Sequence, residues 1–459
     1  MPAPDSPCRH YIEGPKGGAV PGRHLVIKGW CYHRLGRRVE AVRARVGRTL
    51  HPGLYKLRRE DVFQVFGEPG AESSGFQISV VLPPRGARCQ LEALLDDGSW
   101  QVFEQLDLTP TNADNHLKER WRWLRFWLLA WRGKRSAWEL LSTEEQEFLV
   151  TWADAKGWLS IGRYQTHAPR PLKRESFPGT RLRHGDMPKF TLVTPSLNQA
   201  RFLGATAESV LGQQGVRVDY VIQDGGSSDG SRDLILALEA KQANARPTGC
   251  ETRLLHWESM PDHGQADAVV RGFRHMQCGP DDLMAYLNSD DVLMPGALRF
   301  VAAYFARHPE VDFVYGHRIL IDEQGDEVGR WITPRIPCDE LRLHDTVPQE
   351  CLFWRRRIYD AVGGLDPSFH FCLDWDLLLR FREAGARMAR LPWFLGMFRL
   401  HPRQKTQAWL QQVGIPEMDR LRLRHFGSNP PEELLARQMR RAQFDSALVG
   451  VLLRAGLRV

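Results

Sequence analysis

Short runs with an apolar–polar alternation recur early in the chain, at 25–32, 39–46, 76–82, 90–95 and 100–103. Turn-forming residues separate them: Gly47, Pro52-Gly53, Pro83-Pro84 and Asp96-Asp97-Gly98. A period of two is the mark of a strand buried on one face, because successive side chains point to opposite sides. Residues 1–110 are therefore predicted to form an antiparallel β-sandwich. It shows no catalytic constellation, so a scaffold or glycan-binding role fits it better than chemistry.

Between 112 and 158 the period becomes helical. The stretch 121–132 combines Trp121, Trp123, Trp127 and Trp131 with Arg122, Arg125 and Arg132. Such a helix can lie on an anionic membrane surface or cement two domains. The whole of 111–185 reads as a helical, Trp/Arg-rich linker, ending in a Pro- and Arg-rich segment at 167–188.

From Phe190 the pattern changes again, to strands near 190–194, 219–223, 253–257, 283–287 and 312–315, with amphipathic stretches at 200–213, 229–243, 264–277 and 295–307. This alternation predicts an α/β domain over 186–406 with a mainly parallel sheet, and places its ligand site beyond the carboxyl ends of the strands. Further helices are expected over 407–459, at about 431–443 and 446–453.

Composition narrows the class. A chain of 459 residues exceeds the size at which one core usually stops growing, so two or three domains are expected. With 42% hydrophobic and 25% charged residues, neither wholesale disorder nor a fibrous repeat fits. The eight cysteines include no CxxC pair and no finger-like His spacing, which argues against structural zinc or a disulfide framework and for reduced thiols. No signal-peptide pattern opens the chain, and no apolar run reaches the roughly 18–20 residues that span a bilayer. A cytoplasmic location is expected, at the inner face of the membrane if 121–132 docks there. The net charge of +7 is spread along the chain without a nucleic-acid-binding motif, so no nucleic-acid partner is expected.

The polar residues that carry chemistry cluster after the expected strands. Pro195, Ser196 and Asn198 follow the first; Asp224, Gly225 and Ser227 follow the second. Both loops open on one crevice and offer amides and a carboxylate to a nucleotide, with Asp224 as the base contact. A plain helix-capping turn would use the same residue types. Asn288-Ser289-Asp290-Asp291 follows the fourth strand, and adjacent carboxylates there make a hard-oxygen site for Mg²⁺ or Mn²⁺, or else cap the next helix. A diphosphate leaving group calls for such a cation, because its growing charge must be neutralised. Asp374-Trp375-Asp376 stands at a helix start; Asp374 could accept the proton of an attacking hydroxyl, while Asp376 orients a neighbour or caps the helix. His401 could complete a metal shell and Lys405 touch phosphate.

Taken in order, Thr194-Pro195-Ser196-Leu197-Asn198, Gln223-Asp224-Gly225-Gly226-Ser227, Asn288-Ser289-Asp290-Asp291 and Asp374-Trp375-Asp376 resemble family 2 of the glycosyltransferases, of GT-A fold. Gly264-Gln265-Ala266-Asp267-Ala268, Pro348-Gln349-Glu350 and Gly363-Gly364-Leu365-Asp366 fit the same pattern, and the likeness covers about 220 residues. The resemblance implies an inverting, single-displacement transfer from a nucleoside-diphosphate sugar to a glycan or lipid-linked acceptor, one sugar at a time, in cell-surface polysaccharide assembly. It implies Asp374 as the base and Asp290, Asp291 and His401 as the metal site. Pro195, Ser196, Asn198, Asp224, Gly225, Ser227, Gln265, Asp267 and Asp290 would face the donor, and Gln349, Glu350 and Asp376 the acceptor. Leu197 stands where an aromatic is frequent, and Val270 where Asn would be. The competing readings are an inactive glycan-binding protein on the same platform and a nucleotidyltransferase.

Overall fold

The computed structural model describes residue 138 and residues 8–110 and 141–459, except 21, 22, 35, 58, 69, 84, 156, 157, 163, 165, 166, 244–251, 336–340, 402, 403 and 406–408. The Trp/Arg stretch 121–132 lies outside the described residues. The chain divides into two compact units, Met1–Thr166 with Ala436–Ala455, and His167–Leu435 with Gly456–Val459.

In the first unit the strands are β1 (Cys8–Gly14), β2 (Gly18–Val20), β3 (His24–His33), β4 (Val39–Val46), β5 (Thr49–Leu57), β6 (Gly75–Val81), β7 (Ala87–Leu95) and β8 (Trp100–Pro110), with helix α1 (Glu60–Phe66) before β6. They connect in the order β1-β3-β6-β5-β4-β7-β8-β2. Every ladder is antiparallel except β2 with β8. The inward residues, among them Ile27, Val42, Phe76, Ile78, Leu91 and Leu106, form one hydrophobic core. Pro52-Gly53, expected to be a turn, lies inside β5. Its first half pairs with β4 and its second with β6, so the strand changes partners at this dipeptide. Glycine is required there because a Cβ on Gly53 would lie 2.7 Å from Ile78 and 2.8 Å from Val42.

Helix α2 (Thr143–Ala155) starts with a capping box: Ser142 N–H donates to Glu145 Oε2 at 2.8 Å and Glu145 N–H to Ser142 Oγ at 3.2 Å. A small second core joins Trp138, Leu149 and Ala153 to Phe444 and Ala447, where Trp138 stacks on Phe444 at 5.4 Å.

The second unit holds β9 (Phe190–Ser196), α3 (Ala200–Leu211), β10 (Val218–Asp224), α4 (Ser231–Ala243), β11 (Thr252–Ser259), α5 (Gln265–Arg274), β12 (Leu283–Tyr286), β13 (Val292–Leu293), α6 (Ala297–Arg307), β14 (Phe313–Ile321), β15 (Glu327–Trp331), β16 (Leu352–Arg355), α7 (Arg356–Ala361), α8 (Leu373–Glu383), β17 (Met388–Arg399) and α9 (Ile415–Phe426). The sheet order is β11-β10-β9-β12-β16-β14-β17-β13, with β15 on β14. Four ladders are parallel and four antiparallel, so the sheet is mixed rather than mainly parallel. The parallel half, β11-β10-β9-β12, comes from the βα repeats legible in sequence. The other half is built by later strands that return through loops. β9 and β10 are buried at every position, as a strand covered on both faces must be.

The two C-terminal helices expected at 431–443 and 446–453 are one helix, α10 (Glu432–Arg454). Nothing in 443–446 is a strong helix breaker, so the turn continues. Among the described residues no helix is long and apolar enough to cross a membrane.

Candidate functional site

Two loops at the ends of β9 and β10 are knitted together. Ser196 C=O accepts from Gly225 N–H at 2.8 Å, Asn198 N–H donates to Ser227 Oγ at 2.7 Å, and Asn198 Oδ1 accepts from Ser228 N–H at 2.9 Å. Asn198 holds a positive φ of 53°, a conformation Asn tolerates better than most residues. Leu197 beside it is 56% exposed, an apolar face open to solvent at the mouth of the loops. Pro195 and Ser196 are buried under the loop. The fully buried Asp224 carboxylate accepts from Ser227 Oγ at 2.5 Å through Oδ1, and from Ser227 N–H at 2.9 Å and Ser259 Oγ at 2.7 Å through Oδ2. Oδ1 thus retains one acceptor position. A Cβ on Gly225 would sit 2.8 Å from Asp262 Oδ2, so that side chain would have to give way.

Beyond β12, amides link four segments. Lys405 Nζ donates to Gln265 Oε1, at the start of α5. Gln265 Nε2 donates to Asn288 Oδ1 at 2.5 Å, Asn288 Nδ2 to Gln349 Oε1 at 3.2 Å, and Gln349 Nε2 to Tyr286 C=O at 2.6 Å. Two neighbours of this chain, Asp290 and His401, meet at 2.9 Å (Oδ2 to Nε2).

Around that chain gather carboxylates whose proton affinity is raised. Asp291 is buried and pushed well up by burial, with Asp290 and Glu350 adding to it. Burial also raises Glu350 despite Arg318 Nε at 2.9 Å. Half-buried Asp374, in the first turn of α8, is raised by burial, while Lys405 and Arg318 pull it down. Asp345 is exposed, and its proton affinity is pushed up by partial desolvation and then by Asp374. Burial raises the proton affinity of the Tyr286 hydroxyl, and Asp374, Asp345, Asp291 and Glu350 are each near enough to add to it. On the cationic side, burial lowers Lys405 and Arg399.

The predicted residues do not all meet there. Asp376 is fully buried and bridges Arg380 (2.9 Å) and Arg424 (2.9 Å), on the opposite side of α8 from Asp374. Asp267 is bound locally to His263 N–H at 3.0 Å and Arg271 at 2.7 Å. Asp291 accepts from Arg399 N–H at 3.1 Å and lies 3.4 Å from Asn288 Nδ2. Its oxygens thus face protein, and Asp290, Asp291 and His401 are not among the groups of three ligating side chains that converge on a point in the described residues. Asp290 with His401 fits a divalent cation as a carboxylate–imidazole pair, beside carboxylates that outnumber Arg318, Lys405 and Arg399. Asp345 and Arg318 were missed by sequence reasoning. Neither sits in a motif, and only the folding of β14 and of the loop before Gln349 brings them in.

Residues 188–412 match the glycosyltransferase-like family 2. A "PGL/p-HBAD biosynthesis glycosyltransferase" of Mycobacterium bovis (strain BCG / Pasteur 1173P2) is 28% identical over 205 residues, 44% of this chain and 73% of that protein. "O-antigen biosynthesis protein RfbC" of Myxococcus xanthus is 29% identical over 205 residues, 44% of this chain and 15% of that one. The crystal structure of S. aureus TarS aligns at a TM-score of 0.38 and 14% identity, covering 56% of this chain and 42% of the other.

Proposed function

From the premise that the chain belongs, through residues 188–412, to the family 2 glycosyltransferases, we propose that it moves one sugar from a nucleoside-diphosphate sugar to an acceptor hydroxyl with inversion. The observation that carries this reading is the convergence of Asp374, Asp345, Glu350 and Asp291 around Tyr286, with raised proton affinities. A structural ion-pair network pulls carboxylates down; a site prepared for proton transfer and for a cationic guest leaves them high.

In this reading the two knitted loops take the nucleotide. The free acceptor position of Asp224 Oδ1 meets a base N–H, and the exposed Leu197 side chain covers the base. Asp290 and His401 hold Mg²⁺ or Mn²⁺, which when bound neutralises the diphosphate. Lys405 adds a positive charge next to Gln265, and the Gln265–Asn288–Gln349 amides orient sugar hydroxyls through donors already fixed in place. Asp374 is half-open at the end of α8 and receives the proton of the attacking hydroxyl; Glu350 and Asp345 line the acceptor side. Asp376 and Asp291 support from behind, through Arg424 and Arg399. The names of the Mycobacterium and Myxococcus relatives, both biosynthetic, favour a glycan or lipid-linked acceptor in surface glycoconjugate assembly.

The test is release of nucleoside diphosphate from a panel of UDP-, GDP- and dTDP-sugars, with and without Mn²⁺. Turnover of one donor that depends on the cation is expected. Donors bound but never consumed would leave an inactive glycan-binding protein, and release of pyrophosphate would indicate nucleotidyl transfer.

A further inference from the structure

Away from that pocket, a second group of ligating side chains comes together at the rim of the sheet. His256 and Glu258 stand two residues apart on β11 and so share a face. His275 is the C-cap of α5. One ligand atom from each of the three lies within 4.8 Å of the other two. The imidazoles stack at 3.9 Å and 25°, and His275 Nε2 is 3.9 Å from Glu258 Oε2.

Orientation is built in from behind. Gln223, fully buried on β10, donates from Nε2 to Glu258 Oε2 at 2.9 Å and fixes that carboxylate, the kind of support that metal ligands usually receive. The helix C-terminus contributes partial negative charge beside His275. Two imidazoles and one carboxylate form a borderline donor set that suits zinc and its neighbours better than Mg²⁺, and three protein ligands leave a fourth position for water. Ligand bonds of about 2.0–2.2 Å in a tetrahedral site need the donor atoms to close from within 4.8 Å to about 3.3–3.6 Å of one another, a side-chain movement on the order of 1 Å.

We propose that His256, Glu258 and His275 bind a zinc-class divalent cation that pins the edge strand to the end of α5. Among the described residues β11 pairs with β10 alone and has no fully buried residue, so such a tie would hold an edge strand. It also ends at Ser259, whose hydroxyl holds Asp224 at 2.7 Å. Fixing this strand therefore steadies the loop assigned above to the nucleotide.

The full chain, stripped with chelator, is dialysed against Zn²⁺ in excess Mg²⁺ and its metal content measured. The wild type is expected to hold one more equivalent of Zn²⁺ than His275→Ala or His256→Ala, and His401→Ala to keep that equivalent. Co²⁺ in place of zinc should give the intense visible bands of a four-coordinate site, lost in His275→Ala. His275 is exposed, so its removal leaves the core untouched. Equal zinc content in wild type and His275→Ala, or loss of the equivalent in His401→Ala instead, overturns the proposal. Metal content is read without transfer, so the outcome is independent of the transferase reading.

Discussion

Glu92 in the first unit and Glu350 in the second are 5% and 2% exposed, yet their proton affinities move in opposite directions. Burial acts to raise Glu92, but hydrogen bonds from Arg45 and Arg43 outweigh it and bring the carboxyl below its ordinary value. For Glu350 burial wins even with Arg318 in contact, and Asp374 pushes the same way. Two arginines on one carboxylate make a closed structural unit; one arginine shared among several carboxylates leaves charge unbalanced. The linkage runs accordingly. Glu92 contributes stability above the ordinary carboxylate range, lost as pH falls through its depressed value. The pocket carboxylates favour the fold when protonated, and that contribution disappears as pH rises through their raised values.

The contrast can be broken most sharply at Asp374. Asp374→Asn should lower transfer by about 10²–10⁴-fold with donor affinity nearly unchanged, because the amide cannot take a proton; wild-type turnover would remove Asp374 from the mechanism. Next comes Asp290→Ala, for which kcat/KM should fall on the order of 100-fold and nucleotide binding should lose its cation dependence. If titration of the nucleotide gives the same affinity and the same Mn²⁺ response, the cation lies elsewhere. A smaller effect is expected in the pH profile. The raised Asp374 value places the acid limb of kcat/KM above the ordinary carboxylate range, and Lys405→Met should move it to still higher pH by removing a charge that lowers Asp374. An unmoved or downshifted limb would mean that another group controls it. The smallest effects concern stability and should have opposite signs. Glu92→Gln should destabilise by about 1–3 kcal/mol in denaturant unfolding, whereas Asp374→Asn should raise Tm by about 2–4 °C. A fall in Tm for both would erase the distinction.

The parallel half of the catalytic sheet was legible because each βα repeat announces itself locally. The strands expected at 190–194 and 219–223 are Phe190–Ser196 and Val218–Asp224. β5 escaped because Pro52-Gly53 mimics a turn, and the close approach that demands the glycine involves Val42 and Ile78, invisible from the dipeptide itself. Motif reading found the acidic clusters but could not orient them. Asp290 and Asp291 are neighbours in sequence, yet only Asp290 meets His401, and Asp374 and Asp376 point to opposite sides of one helix. Arg318 and Asp345 carried no local signal, since their place depends on long-range pairing of β14 with β16 and β17.

Glu417 lies in α9, outside the segment matched by the family, and its carboxylate receives the backbone N–H groups of His370, Phe371 and Cys372 at 2.7, 2.8 and 2.8 Å. Those amides lead directly into α8, and Arg424 from the same outer helix grips Asp376. A chain trimmed at the boundary of the matched segment would keep Asp374 and lose the carboxylate that holds the three amides leading into its helix.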